Sequence, residues 1–250
     1  MKNLELMNEK NNTNDIFKLN KMINSKSGDI VKQIKTGKKK ELFMLLFLYF
    51  SEFKKEIINA IKRTYKISFY YSIWYIETKH NLNYTVPTLP AIKMRKTAGL
   101  SVIERIQHQQ YNLYNRLLNA YNTDDKTIKE AVDGLLGFGG VTGLSYILNR
   151  IIRTECNRIQ NIACVDAFKT LGIKAFVYHA EFDNRTCDKC YELNGKVFNL
   201  DDDDIYDKLP PLHPNCRCYI EPVLEYKKKN RSRIERLEFK KYLLENKIDI

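Results

Sequence analysis

The chain has 250 residues, 44% of them hydrophobic, and a formal net charge of +12 at pH 7. That content excludes a disordered polyelectrolyte and suffices for one large or two modest domains. The charge is uneven: residues 1–40 carry +6, 41–174 carry +7, 175–222 carry −5 and 223–250 carry +4, a layout that suits basic flanks meeting a polyanion and an acidic segment meeting protein.

Residues 1–40 lack sustained periodicity and end in a lysine run, which predicts a basic arm, flexible or loosely helical. Residues 41–98 form a second segment. Up to about residue 81 it is apolar and aromatic, without Gly or Pro, and predicts one or two helices; Pro87, Pro90 and Gly99 then mark a linker. The apolar run at 42–50 is far shorter than the roughly 20 residues of a membrane span, so no membrane role is expected. Residues 99–174 read as helical. Ser101 and Glu104 make a capping box at the start of a helix that buries Ile103, Ile106, Leu113, Leu117 and Tyr121. A short helix is expected near 126–136, ended by the glycines at 137–140.

The longest helix opens at Thr142 and stops at Gly172, with an apolar stripe of Leu144, Leu148, Ile151, Ile152, Ile159, Ile162 and Ala163. Cys156 and Cys164 on it are expected as buried core thiols. Glu155 falls inside the stripe, so it is either buried with a partner or solvated at a wet helix end. Residues 175–222 turn to β character in AFVYHAEF, VFNL and CYIEPVL, with Asn194–Gly195 as a hairpin signal and the aspartates at 201–204 as a solvated loop. Residues 223–250 read as a basic C-terminal helix with Ile234, Leu237, Phe239 and Leu243 as scattered anchors. The class is therefore α+β: a mostly helical N-terminal two-thirds, a small zinc-stapled β module, and a C-terminal helix.

The staple comes from residues 187–218, which hold four of the six cysteines and one of the four histidines. A CxxC pair, Cys187 and Cys190, closes a knuckle that aims two sulfurs at one point. The CxC pair, Cys216 and Cys218, sets two more on one side of an extended strand, and His213 is a fifth candidate. Thiolates with an imidazole select Zn(II), and four protein ligands make a closed structural site. The fourth ligand is either His213 or Cys218. Disulfides and free thiols are the competing assignments. The absence of an apolar signal region in the first forty residues argues against an oxidising compartment.

The order of these features resembles the Mu F-like minor head protein family of tailed phages, also called the phage head morphogenesis domain. The resemblance is carried by RTE (Arg153 and Glu155), DNRTCDKC, LNGKVF and PPLHPNCRC, and covers about residues 99–222. It implies a low-copy head protein associated with the portal and the capsid interior, needed for head assembly and DNA delivery, present in the virion or in the host cytoplasm during assembly. Portal and other head proteins are the expected partners, with non-specific duplex DNA, and neither an enzymatic activity nor a small-molecule substrate is expected.

Four alternatives compete with that reading. A zinc-ribbon DNA-binding regulator is disfavoured by the acidic charge of residues 175–222. A zinc-stapled nuclease lacks nearby catalytic histidines, since His80, His108 and His179 lie in other elements. An ADP-ribosyltransferase lacks paired glutamates, and a zinc deaminase lacks its HxE and PCxxC spacing. Beside the metal ligands, Arg153, Glu155, Asp183, Arg185 and Arg217 are expected to form a structural seam, with Glu155 paired to Arg185 or Arg217.

Overall fold

The computed structural model describes residues 1–80, 85–92, 100–119, 132, 143–224 and 235–249. Its elements in chain order are α1 (Lys2–Lys35), α2 (Lys39–His80), α3 (Val102–Leu118), α4 (Leu144–Thr170), β1 (Ala175–His179), α5 (Asp188–Leu193), β2 (Val197–Asn199), a 3-10 turn (Ile205–Asp207), β3 (Tyr219–Pro222) and α6 (Glu235–Glu245). The class is α+β as expected, helical first, with a small antiparallel sheet near the end and a C-terminal helix. Of the expected helix at 126–136 only Val132 is described, helical and buried; its glycine stop, Thr142, Tyr121 and Ile234 lie outside the described residues. No described helix is long and apolar enough to cross a membrane.

The contacts divide the chain into two compact units that cut across the five segments drawn from sequence: residues 1–10, 61–93 and 154–250 form one, and 11–60 with 94–153 the other. In the second unit α3 begins as its sequence dictates. Ser101 Oγ accepts from the Glu104 amide at 3.2 Å, and the Glu104 carboxylate accepts from the Ser101 amide at 2.6 Å. Val102, Ile106, Leu113 and Leu117 are its buried positions, while Ile103 is only half-buried. Phe43 of α2 meets Tyr114 of α3 edge to face at 5.4 Å.

Residues 1–40, expected as a basic arm, flexible or loosely helical, are almost wholly the helix α1, and it is not a loose arm, since Leu4, Ile30 and Ile34 are buried on it. The reason is tertiary. In the first unit Asn8, itself buried, donates from Nδ2 to Ser68 Oγ at 3.0 Å and Gln160 Oε1 at 2.8 Å, tying α1 to α2 and α4 through polar side chains that leave no hydrophobic period to read. Tyr65 of α2 donates to Asp166 of α4 at 2.6 Å. All seven stripe residues of α4 are buried, with Cys156 and Cys164. Gly172 ends the helix with φ 73°, and Ile173 N donates to Phe168 O at 2.9 Å, closing the turn that only a left-handed residue permits.

The sheet order is β2-β1-β3, antiparallel throughout, with Phe176 opposite Phe198 and Tyr178 opposite Ile220. Phe176, Tyr178 and Ile220 point inward. The Asn194–Gly195 pair does not join two strands. Gly195, at φ 77°, follows α5 and leads into β2, because the CxxC knuckle occupies the place of the first strand. In the aspartate loop, Lys208 pairs with Asp202 at 3.3 Å and Asp204 at 2.7 Å. The C-terminal segment is helical only at Glu235–Glu245 among its described residues, and it is not a solvated arm: Phe239 is buried against Tyr71 at 5.0 Å and Trp74 at 5.5 Å.

Candidate metal centre

Cys187 is the N-cap residue of α5 and makes no side-chain cap, and Cys190 lies three residues on. Side chains at these two positions face each other, as they do in a capping box, so both sulfurs turn to the same side. The second arm is built differently. The Cys216 amide donates to His213 O at 3.2 Å, closing a β-turn with Pro214 at its second position and Asn215 in the left-handed region at φ 59°. Asn tolerates that conformation, and the turn brings His213 and Cys216 to the same end. From there the chain runs extended into β3, so Cys216 and Cys218 point inward and Arg217 outward.

All five expected ligands meet here. Cys187, Cys190 and His213 form one group of donor atoms lying within 4.8 Å of one another; Cys190, Cys216 and Cys218 form a second. Cys190 is common to both, 3.4 Å from His213 Nε2 and 3.8 Å from Cys216 Sγ. All six cysteines of the chain are free thiols, so the disulfide assignment is not what the fold uses. Cys190, Cys216 and Cys218 are buried; Cys187 and His213 are half-buried. The Tyr178 hydroxyl lies 3.5 Å from Cys190 Sγ.

His213 is oriented by its other nitrogen. Nδ1 lies 2.9 Å from Pro214 O, and a carbonyl can only accept, so Nδ1 donates there and the ring is held with Nε2 turned to Cys190 Sγ at 3.4 Å. The sulfurs have unequal acidity. A hydrogen bond from Cys218 holds the Cys216 thiol well below the ordinary range, the same bond and burial push Cys218 up, and burial pushes Cys190 up. The donor set of clustered sulfurs and one aimed imidazole fits a metal ion, whose charge would stabilise thiolates.

The expected seam residues divide. Asp183, Arg185 and Arg217 converge: Arg217 approaches both carboxylate oxygens of Asp183 at 2.6 Å, and the Arg185 guanidinium lies 3.5 Å from Oδ2. Glu155 is 2% exposed, which decides for the buried alternative, and Oε1 lies 3.5 Å from Nε of Arg158, a partner sequence reasoning did not name. Arg153 is exposed. What sequence reasoning missed is the pair of neutral contacts that dock α4 on the metal arm. Asn215 N donates to Thr154 Oγ1 at 3.1 Å, and Asn157 Nδ2 donates to Cys218 O at 3.1 Å. Their spacing of three on one helix was the available signal. His179, the other histidine of this module, is 3.4 Å from Glu221.

Residues 103–221 match the family described as Phage Mu protein F like protein. Over that stretch, just under half of the chain, the sequence is similar to a family of phage head morphogenesis proteins, and all five candidate metal ligands lie inside the matched residues. No curated protein and no solved structure matches the chain.

Proposed function

We propose that this chain is a non-enzymatic minor head protein that acts in capsid assembly and DNA delivery of a tailed phage, with the portal and other head proteins as partners and the capsid interior as its place. The match of residues 103–221 carries this reading. Its support from the site is a donor set with no need of a substrate. Four protein ligands complete a tetrahedron and leave no position for reactive water. Removing the coding region from its phage should leave particles that lack the protein and fail in assembly or DNA delivery. Mutant particles of ordinary yield and infectivity would refute it.

The metal we assign is structural Zn(II), held by Cys187, Cys190, Cys216 and His213. A zinc tetrahedron with Zn–S of about 2.3 Å and Zn–N of about 2.0 Å has edges of about 3.8 Å between sulfurs and about 3.5 Å between nitrogen and sulfur. The separations around Cys190, 3.8 Å to Cys216 and 3.4 Å to His213, are close to those edges, and Cys190 joins the two donor groups over which the four ligands are divided. Purified protein should contain one equivalent of zinc; His213→Ala should weaken it, while Cys218→Ser should retain it. The reverse pattern would make Cys218 the ligand. Less than about half an equivalent in the wild type would remove zinc from the account.

Non-specific duplex DNA is the second partner. Lys32, Lys35, Lys38, Lys39 and Lys40 are all exposed where α1 turns into α2, at a corner with no fixed base-reading element. Each phosphate contact should cost about 3.5-fold in affinity between 50 and 200 mM salt. Lys38→Glu, Lys39→Glu and Lys40→Glu together should remove about three contacts. Unchanged affinity and salt slope, or tight binding to one operator sequence, would refute this part and favour the regulator.

A further inference from the structure

The two ligand-bearing arms of the metal centre are tied together outside the sulfur cluster. Arg217 stands between Cys216 and Cys218, and alternation along the extended chain turns its side chain away from the sulfurs. There its two terminal nitrogens meet the two oxygens of Asp183, each at 2.6 Å, a bidentate fork that fixes direction as well as distance.

Asp183 is itself held in register with the other arm. Its Oδ1 accepts from the Arg185 amide at 2.8 Å, its own amide donates to Thr186 Oγ1 at 3.1 Å, and its carbonyl accepts from the Thr186 amide at 3.1 Å. The Thr186 hydroxyl also bonds Glu181 O. This tight turn ends at Cys187, the first ligand. A rigid path therefore runs from Cys187 through the turn to Asp183, across the fork to Arg217, and into both Cys216 and Cys218. The neighbouring Arg217 guanidinium keeps the Asp183 carboxyl well below the usual carboxylate range.

We propose that Asp183 and Arg217 are positioning residues for the metal. They hold the CxxC and CxC arms at the spacing the ion needs before it arrives, and slow the arm separation through which it leaves. The proposal rests on the centre being a metal site. It differs from a general stabilising role because the pair is about 30% exposed on each side, and ion pairs of that exposure add little to folding. Geometry around a metal is far more sensitive, since outer partners change affinity by roughly 10- to 100-fold.

The test uses the full-length zinc-loaded protein with Asp183→Asn, Arg217→Gln, the double variant and Asp183→Glu. Zinc release into excess chromogenic chelator is followed, together with the absorption spectrum of the Co(II)-substituted protein and amide exchange of residues 183–190 without metal. Each single variant should release zinc about tenfold faster. The double variant should be no faster than the singles, because one contact is lost either way. Asp183→Glu should recover part of the loss, and amide exchange should rise at Arg185 and Thr186 in Asp183→Asn. Release within twofold of wild type in both singles, or losses that add in the double, would overturn the proposal. If wild-type protein binds neither zinc nor Co(II), the metal assignment itself fails, and that is seen before any variant is compared.

Discussion

Replacing Phe239 by Ala tests whether the C-terminal helix belongs to the folded core. The ring is 2% exposed, edge to face with Tyr71 at 5.0 Å, tilted over Trp74 at 5.5 Å and stacked on Tyr242 at 6.2 Å. Phe to Ala at such a site costs about 3–5 kcal/mol, because the transfer energy of the ring is lost and a cavity remains among aromatic neighbours. At about 2–4 °C per kcal/mol for a chain of this size, the melting point should drop by about 6–20 °C. Trp74 is the single tryptophan, so its fluorescence follows the event directly. The emission should shift to the red in the variant as water reaches the indole. Lys240 and Lys241, exposed on the same helix, supply the control: Lys240→Glu with Lys241→Glu should change stability by less than about 0.5 kcal/mol. A Phe239→Ala protein with wild-type stability and unshifted emission would refute the packing. If the packing holds, deleting 223–250 removes part of the core.

Ser101→Ala removes the hydroxyl that accepts from Glu104 N, and should cost about 1 kcal/mol by chemical denaturation; a loss below about 0.3 kcal/mol would mean the cap is dispensable. Burial pushes the Cys164 thiol up to about 12, so at pH 8 its thiolate fraction is about a thousandfold or more below that of an ordinary cysteine. Peptide-level iodoacetamide labelling should find Cys164 unmodified in the native protein and modified after denaturation, and native labelling at the unfolded rate would contradict its burial. Thr154→Val leaves the Asn215 amide without its acceptor and should cost about 1 kcal/mol, with faster amide exchange confined to residues 213–218. Exchange unchanged there would remove Thr154 from the docking of the turn.

Legibility followed the chemistry of each segment. The capping box at Ser101, the stripe of α4 and its glycine stop were plain because apolar period and cap residues agreed. The metal arms were plain because sulfur spacing is a local property. Helix α1 was obscure for the opposite reason: Asn8 occupies a core position through bonds to residues 60 and 152 positions away, so no local pattern records its burial. Phe239 was one anchor among several in a charged stretch, and its pocket of Tyr71 and Trp74 lies more than 160 residues earlier. A burial made by a distant partner leaves no period behind it.

The seam around the metal shows the same limit with charges. Sequence placed a carboxylate in an apolar stripe beside two arginines flanking metal ligands, and the simplest pairing joined them. In the fold Arg217 forks onto Asp183, thirty-four residues before it, and Glu155 lies 3.5 Å from Arg158 one turn along its own helix, two contacts that the simplest pairing did not include. Glu155 is buried beside the Arg158 guanidinium of its own helix. Thr154 and Asn157 can then meet backbone groups of the metal arm without bringing a second charge out of water. Neutral hydrogen bonds suit this contact because Asn215 N and Cys218 O belong to the chain of the ligand arm itself, so they set the backbone while the Asp183–Arg217 fork sets the spacing between arms. The helix and the fork thus constrain different coordinates of the same site. Loss of Thr154 should therefore loosen one arm, and loss of Asp183 should separate the two.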